Sequence, residues 1–98
     1  MSNEFLSKVS AIVNALNTQA AALAAEGKRP LYRNFGFTMG PRHARIFAMQ
    51  GGDTRSARAF VGVDGNIRRS DSWKKPGRVL GSHESPDAYA YILGPVFS

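Results

Sequence analysis

Residues 56–70 read SARAFVGVDGNIRRS, and the fold turns on them. Two alternating runs flank Asp64-Gly65-Asn66. An Asp-Gly pair in that setting is a strong hairpin signal, because glycine takes the positive φ that a tight turn needs. The spacing predicts a strand over 56–63, a turn over 64–66 and a returning strand over 66–70. Successive side chains of a strand point to opposite faces. Strict alternation puts Ala57, Ala59, Val61 and Val63 on one face, and Arg58, Phe60 and Gly62 on the other.

Upstream, ARIFAMQ (44–50) reads as another strand, with Ala44, Ile46 and Ala48 on one face and Arg45, Phe47 and Met49 on the other. GGDTR (51–55) is the expected turn between it and 56–63, so 44–50, 56–63 and 66–70 form an antiparallel meander. LYRNFGF (31–37) alternates weakly, and TMGPR (38–42) reads as a turn. The chain begins with a helix. Phe5, Leu6, Val9, Ile12, Val13, Leu16, Ala20 and Leu23 recur at helical spacing. Ser2 or Asn3 suits its N-cap and Glu4 its first turn, while Gly27 and Pro30 stop it. Ser7, Asn14, Asn17 and Gln19 mark the polar face, and the alanines of 20–25 would let a neighbour approach closely: the chain's own sheet or a second copy.

Downstream, KKPG (74–77) is a turn and Arg78–Leu80 a short strand. SHESPDAYAYILGPVF (82–97) carries Tyr89, Tyr91, Ile92, Leu93, Val96 and Phe97. Three forms suit it: an edge strand, a helical turn after Ser85-Pro86-Asp87, or a tail docked on another subunit. The resulting expectation is a single α+β domain over 1–98. One long N-terminal helix (3–26) packs on a small antiparallel β-meander of three to five strands (31–80), followed by the apolar tail 86–98. A chain of 98 residues is near the lower size limit for a self-sufficient core, which with the apolar tail favours a homo-oligomer.

The net charge is +6, and it is concentrated. Residues 28–78 hold twelve Lys or Arg, nine of them arginine, against Asp53, Asp64 and Asp71. Arginine favours bidentate contact with phosphate or carboxylate, and a field of this sign attracts nucleic acid or nucleotides. The densest stretch is NIRRSDSWKKPGR (66–78), which contains the one tryptophan. The expected anion- or nucleic-acid-binding residues are Arg55, Arg58, Arg68, Arg69, Trp73, Lys74, Lys75 and Arg78. On the meander, Arg45 and Phe47 share a face, Arg58 joins Phe60, and either Arg68 or Arg69 must join them. Arginines interleaved with rings suit a nucleic-acid strand, since rings stack bases and guanidinium groups hold phosphates. The competing reading has the phenylalanines in the core and the arginine stems covering them.

Catalytic chemistry is not expected. His43 and His83 stand forty residues apart without a carboxylate at motif spacing. There is no cysteine, no paired-histidine or acidic metal motif and no phosphate-loop glycine pattern, so neither a metal nor a cofactor is expected. No apolar run is long enough to cross a membrane as a helix, and no secretory signal pattern is expected, which favours a cytoplasm.

The run RSARAFVGVDGNIRRSDSWKKP (55–76) resembles a pattern in small, mostly uncharacterised proteins of tailed bacteriophages. The matching residues are Arg55, Ser56, Phe60, Val61, Gly65, Ile67, Ser72, Trp73, Lys74 and Pro76. Those proteins continue with Ala-Lys and an Arg-Gly-Asn run, where this chain has Gly77-Arg78 and Gly81-Ser82. The resemblance implies a phage origin and a host-cytoplasm setting, and it brings no activity. Three functions stay open: a non-enzymatic binder of a phosphate-bearing ligand, nucleic acid first among them; a phage anti-defence protein that sequesters a signalling nucleotide or blocks a host defence protein; and a virion structural or assembly component.

Overall fold

The structure, a computed structural model, describes residues 3–40, 42–49 and 55–97. Its elements run α1 (Asn3–Ala25), β1 (Arg29–Pro30), β2 (Asn34–Met39), β3 (His43–Met49), β4 (Arg55–Gly62), β5 (Asn66–Ser70), β6 (Pro76–Ser82), α2 (Pro86–Leu93) and β7 (Val96–Phe97). Among the described residues β2 to β6 form one antiparallel sheet in chain order, and β1 pairs with β7. The α+β class and the helix-plus-meander architecture expected from the sequence are therefore observed. Of the turn expected over 51–55 only Arg55 is described, as the first residue of β4, and the N-cap at Ser2 or Asn3 lies outside the described residues and side chains.

Helix α1 buries Phe5, Val9, Ile12, Val13, Leu16 and Ala20. Leu6, which fits the same spacing, is exposed. The helix ends as its sequence requires. Gly27 takes φ +84°, and the amides of Gly27 and Lys28 donate to the carbonyls of Ala24 and Leu23, the paired bonds of a Schellman cap. Phe35, Ala44, Ile46, Ala48, Ala59, Val61 and Ile67 from the sheet complete this core with Ala88, Ile92 and Leu93 of α2.

Of the three forms open to the tail, the helical one is observed, and it is longer than a turn. Ser85 caps α2 by accepting from the Ala88 amide, Pro86 opens the helix, and Gly94 closes it at φ +79°. Half of the apolar tail thus belongs to this chain's own core, and Gly81 of β6 lies close enough to Ser85 that a Cβ there would collide with it.

One break in alternation changes the faces. Ile46 pairs with Ala59, but Phe47 pairs with Ala57, leaving Arg58 as the extra residue of a β-bulge. Ala57 therefore lies opposite Phe47 and away from α1. Arg58 turns to the helix side. Strict alternation assigns both to the reverse faces, and the bulge corrects it.

Candidate anion-binding surface

The face of the sheet away from α1 carries its own layer of side chains. Register places Thr38, Arg45, Phe60, Arg68 and Val79 in a row across all five strands. Neither helix packs on this face. Phe47 and Phe60 nevertheless are only 6% and 5% exposed, because cations and neighbouring rings cover them. The guanidinium of Arg55 lies 4.9 Å from the Phe47 ring centre, and Phe47 lies 6.1 Å from Trp73. Arg45 stacks 4.5 Å from Trp73 and 5.8 Å from Phe60, and His43 meets Phe60 edge-on at 6.3 Å. The result is a continuous run of Arg55, Phe47, Trp73, Arg45, Phe60 and His43. Each cation–ring contact adds about 0.5–2 kcal/mol, more where solvent is excluded.

The turn over 71–75 carries Trp73 onto this layer. The Asp71 amide donates to the Lys75 carbonyl, and the Ser70 hydroxyl donates to the Ser72 carbonyl. Arg45 is held in place by donating from Nε to the Trp73 carbonyl at 2.6 Å and from Nη1 to Thr38 Oγ1 at 3.0 Å. Arg68 donates to the Gly77 carbonyl at 3.2 Å. Among the described residues Arg45, Arg55 and Arg68 form no close ion pair with a carboxylate, although, after the Asn66 hydrogen bonds, the charge of Arg68 helps to lower the pKa of Asp64.

The eight residues expected from the sequence are divided by the fold. Arg55, Arg68 and Trp73 lie on this face. Lys74 and Lys75 are exposed in the 71–75 turn, and Arg78 is exposed in β6 next to Val79 of the row. Arg69 is opposite Ala59, on the helix side, and its Nε is paired with Asp71 at 2.9 Å. Arg58, on the bulge, donates from Nε to the Ile92 carbonyl at 3.1 Å and from Nη2 to the Tyr91 carbonyl at 2.7 Å. Its guanidinium also lies 4.5 Å from the Tyr32 ring centre. It is a cation at the C-terminus of α2, where the helix dipole favours it. Arg58 and Arg69 therefore point away from the open face.

Arg45 and His43 belong to the face and are absent from the eight. The alternation of 44–50 places Arg45 beside Phe47, but nothing local distinguishes it from a solvated arginine. Its bond to the Trp73 carbonyl spans 28 residues of sequence. Two adjoining hollows open on this face and share His43. One, of about 140 Å³, is bounded by Thr38, Met39, Gly40, His43, Arg45 and Phe60. The other, of about 410 Å³, is lined by Arg42, His43, Gly62, Val63, Asp64 and Arg68. Asp64 accepts hydrogen bonds from the Asn66 amide and side chain, and these bonds hold its carboxyl below its ordinary pKa.

Among the described residues no group of three or more His, Cys, Asp or Glu is placed to hold a metal, and no helix is long and apolar enough to cross a membrane. No family model, no curated protein and no solved structure matches this chain.

Proposed function

We propose that the protein is a non-enzymatic binder of a phosphate-bearing ligand, with a nucleic-acid strand as the ligand this face fits best. The observation that carries the reading is the set of Arg45, Arg55 and Arg68 on a sheet face that no helix covers, none of them in a close ion pair with a carboxylate among the described residues. Phe47 and Phe60 are too buried to accept a base. Trp73, 38% exposed, and the flat guanidinium planes above the rings offer the stacking surface instead. The likeness of residues 55–76 to small tailed-phage proteins would set this binder in the cytoplasm of an infected host.

Adjacent residues supply the test. Arg68→Gln and Arg69→Gln remove the same charge one position apart on opposite faces. In fluorescence anisotropy with a short single-stranded oligonucleotide, Arg68→Gln should weaken binding and lower the log–log salt slope by about 0.7 for each phosphate that is no longer neutralised. Arg69→Gln should bind as the native chain does. Equal weakening in the two folded variants would leave a diffuse basic charge as the only attraction and reject the face. Trp73→Ala should cost about 1–3 kcal/mol of binding free energy by removing the stacking surface.

A further inference from the structure

Resting on that reading, we propose that the hollow bounded by Thr38, Met39, Gly40, His43, Arg45 and Phe60 takes the terminal phosphate monoester of a strand bound on the open face. Arg45 makes the hollow an anion site before any ligand arrives. Its Nε and one Nη1 hydrogen are used on the Trp73 carbonyl and Thr38 Oγ1, and its plane rests on the Trp73 ring. Those interactions fix the guanidinium, while Nη2 has no hydrogen-bond partner among the described residues. The Thr38 hydroxyl accepts from Arg45 and so has its own hydrogen to donate. His43 adds a ring N–H. At about 140 Å³ the space admits a tetrahedral oxyanion with some of its water.

The larger neighbouring hollow has two arginines, but it is the poorer anion site. Asp64 stands in its lining, kept ionised by the Asn66 amide, and would repel a phosphate. No carboxylate lines the smaller hollow. Its shape selects an end of the strand over an internal linkage. The ends of β2 and β3 are tied there, the Gly40 amide donating to the His43 carbonyl at 2.9 Å, which closes one side. A strand running through would have to cross that tie, whereas a terminal group stops there. A monoester also carries about −1.5 to −2 charge on three free oxygens, against about −1 for an internal diester. Three separate donors on Arg45, Thr38 and His43 match the former.

The experiment compares one short oligonucleotide in three forms, with a 5′-phosphate, a 3′-phosphate or hydroxyls at both ends. Binding is measured by calorimetry to the native chain and to Thr38→Val, His43→Gln and Arg45→Lys, with Lys8→Gln on α1 as control. The native chain and the control should prefer one phosphorylated form over the hydroxyl form by about tenfold, the scale of one added charge-assisted hydrogen bond. In each of the three hollow variants that ratio should fall toward one. Equal binding of all three forms by the native chain overturns the inference and leaves the nucleic-acid reading standing. A preference that survives in all three variants also overturns it, by placing the phosphate elsewhere. Failure to bind any form overturns the nucleic-acid reading and this inference with it.

Discussion

Arg58 shows how much one residue's direction decides. As the extra residue of a bulge it points to the helix side and bonds two carbonyls at the end of α2. Arg58→Lys keeps the charge but cannot bond both carbonyls with a rigid fork. It should lower stability by about 1–2 kcal/mol in urea titration while leaving oligonucleotide affinity intact. Weaker affinity at unchanged stability would return Arg58 to the binding surface. Gly36 is constrained differently. A Cβ there would lie 2.8 Å from the Phe47 ring, which is itself held beneath Arg55 and beside Trp73. Gly36→Ala should therefore cost about 1–3 kcal/mol through overpacking and dislodge Trp73, visible as a shift in tryptophan fluorescence. At Asp64, hydrogen bonds from Asn66 favour the ionised form and depress the folded-state pKa. That stabilisation is present above the unfolded carboxylate range and is lost as pH falls through the lower folded value. Thermal melts of Asp64→Asn should accordingly fall less steeply than those of the native chain from about pH 5 to pH 2.

At the scale of elements, β2 is an edge strand and α1 guards it. The Asn17 side chain accepts from the Phe35 amide at 2.8 Å and donates to the Phe35 carbonyl at 3.2 Å, as a neighbouring strand would. On helical spacing alone Asn17 belongs to the polar face of α1. Only the placement of β2 beside it gives the side-chain amide this role. An open edge is a template for pairing with other chains. Asn17→Ala should leave both Phe35 groups unpaired, cost about 1–3 kcal/mol and raise aggregation seen by light scattering on mild heating. The buried stripe of α1 behaves more simply. Leu16 is fully buried, so Leu16→Ala should cost about 2–5 kcal/mol in the same titration.

The whole molecule rests on one core that joins both ends of the chain. Val9, Ile12 and Leu16 near the N-terminus meet Ala88, Ile92 and Leu93 near the C-terminus around the same sheet residues. The apolar tail that favoured a second copy is thereby half accounted for. Removing residues 86–98 should unfold the protein, read as disappearance of the cooperative thermal transition, and not merely change its assembly. A truncated chain that still melts cooperatively would show that α2 is dispensable. On the opposite face, the layer from Arg55 to His43 gives the sheet a second side buried by cations and rings.

Elements whose cause is local were legible in the sequence. Apolar spacing and the Gly27 stop define α1, Asp64-Gly65 defines the β4–β5 hairpin, and alternation defines β3. Arg68 or Arg69 had to face outward with Phe60, since neighbours in a strand diverge. Which of the two does so depends on Ala59 pairing with Arg69, a register that only the assembled sheet fixes. The remainder is likewise set by partners distant in sequence. The bulge at Arg58 arises from how β4 meets β3. The helical form of residues 86–93 wins because Ala88, Ile92 and Leu93 find a core to enter. Arg45 becomes a fixed guanidinium only when the 71–75 turn lays Trp73 on it. Periodicity reports which face a residue prefers, but the energy that orients these side chains comes from groups tens of residues away, so it is decided by tertiary packing.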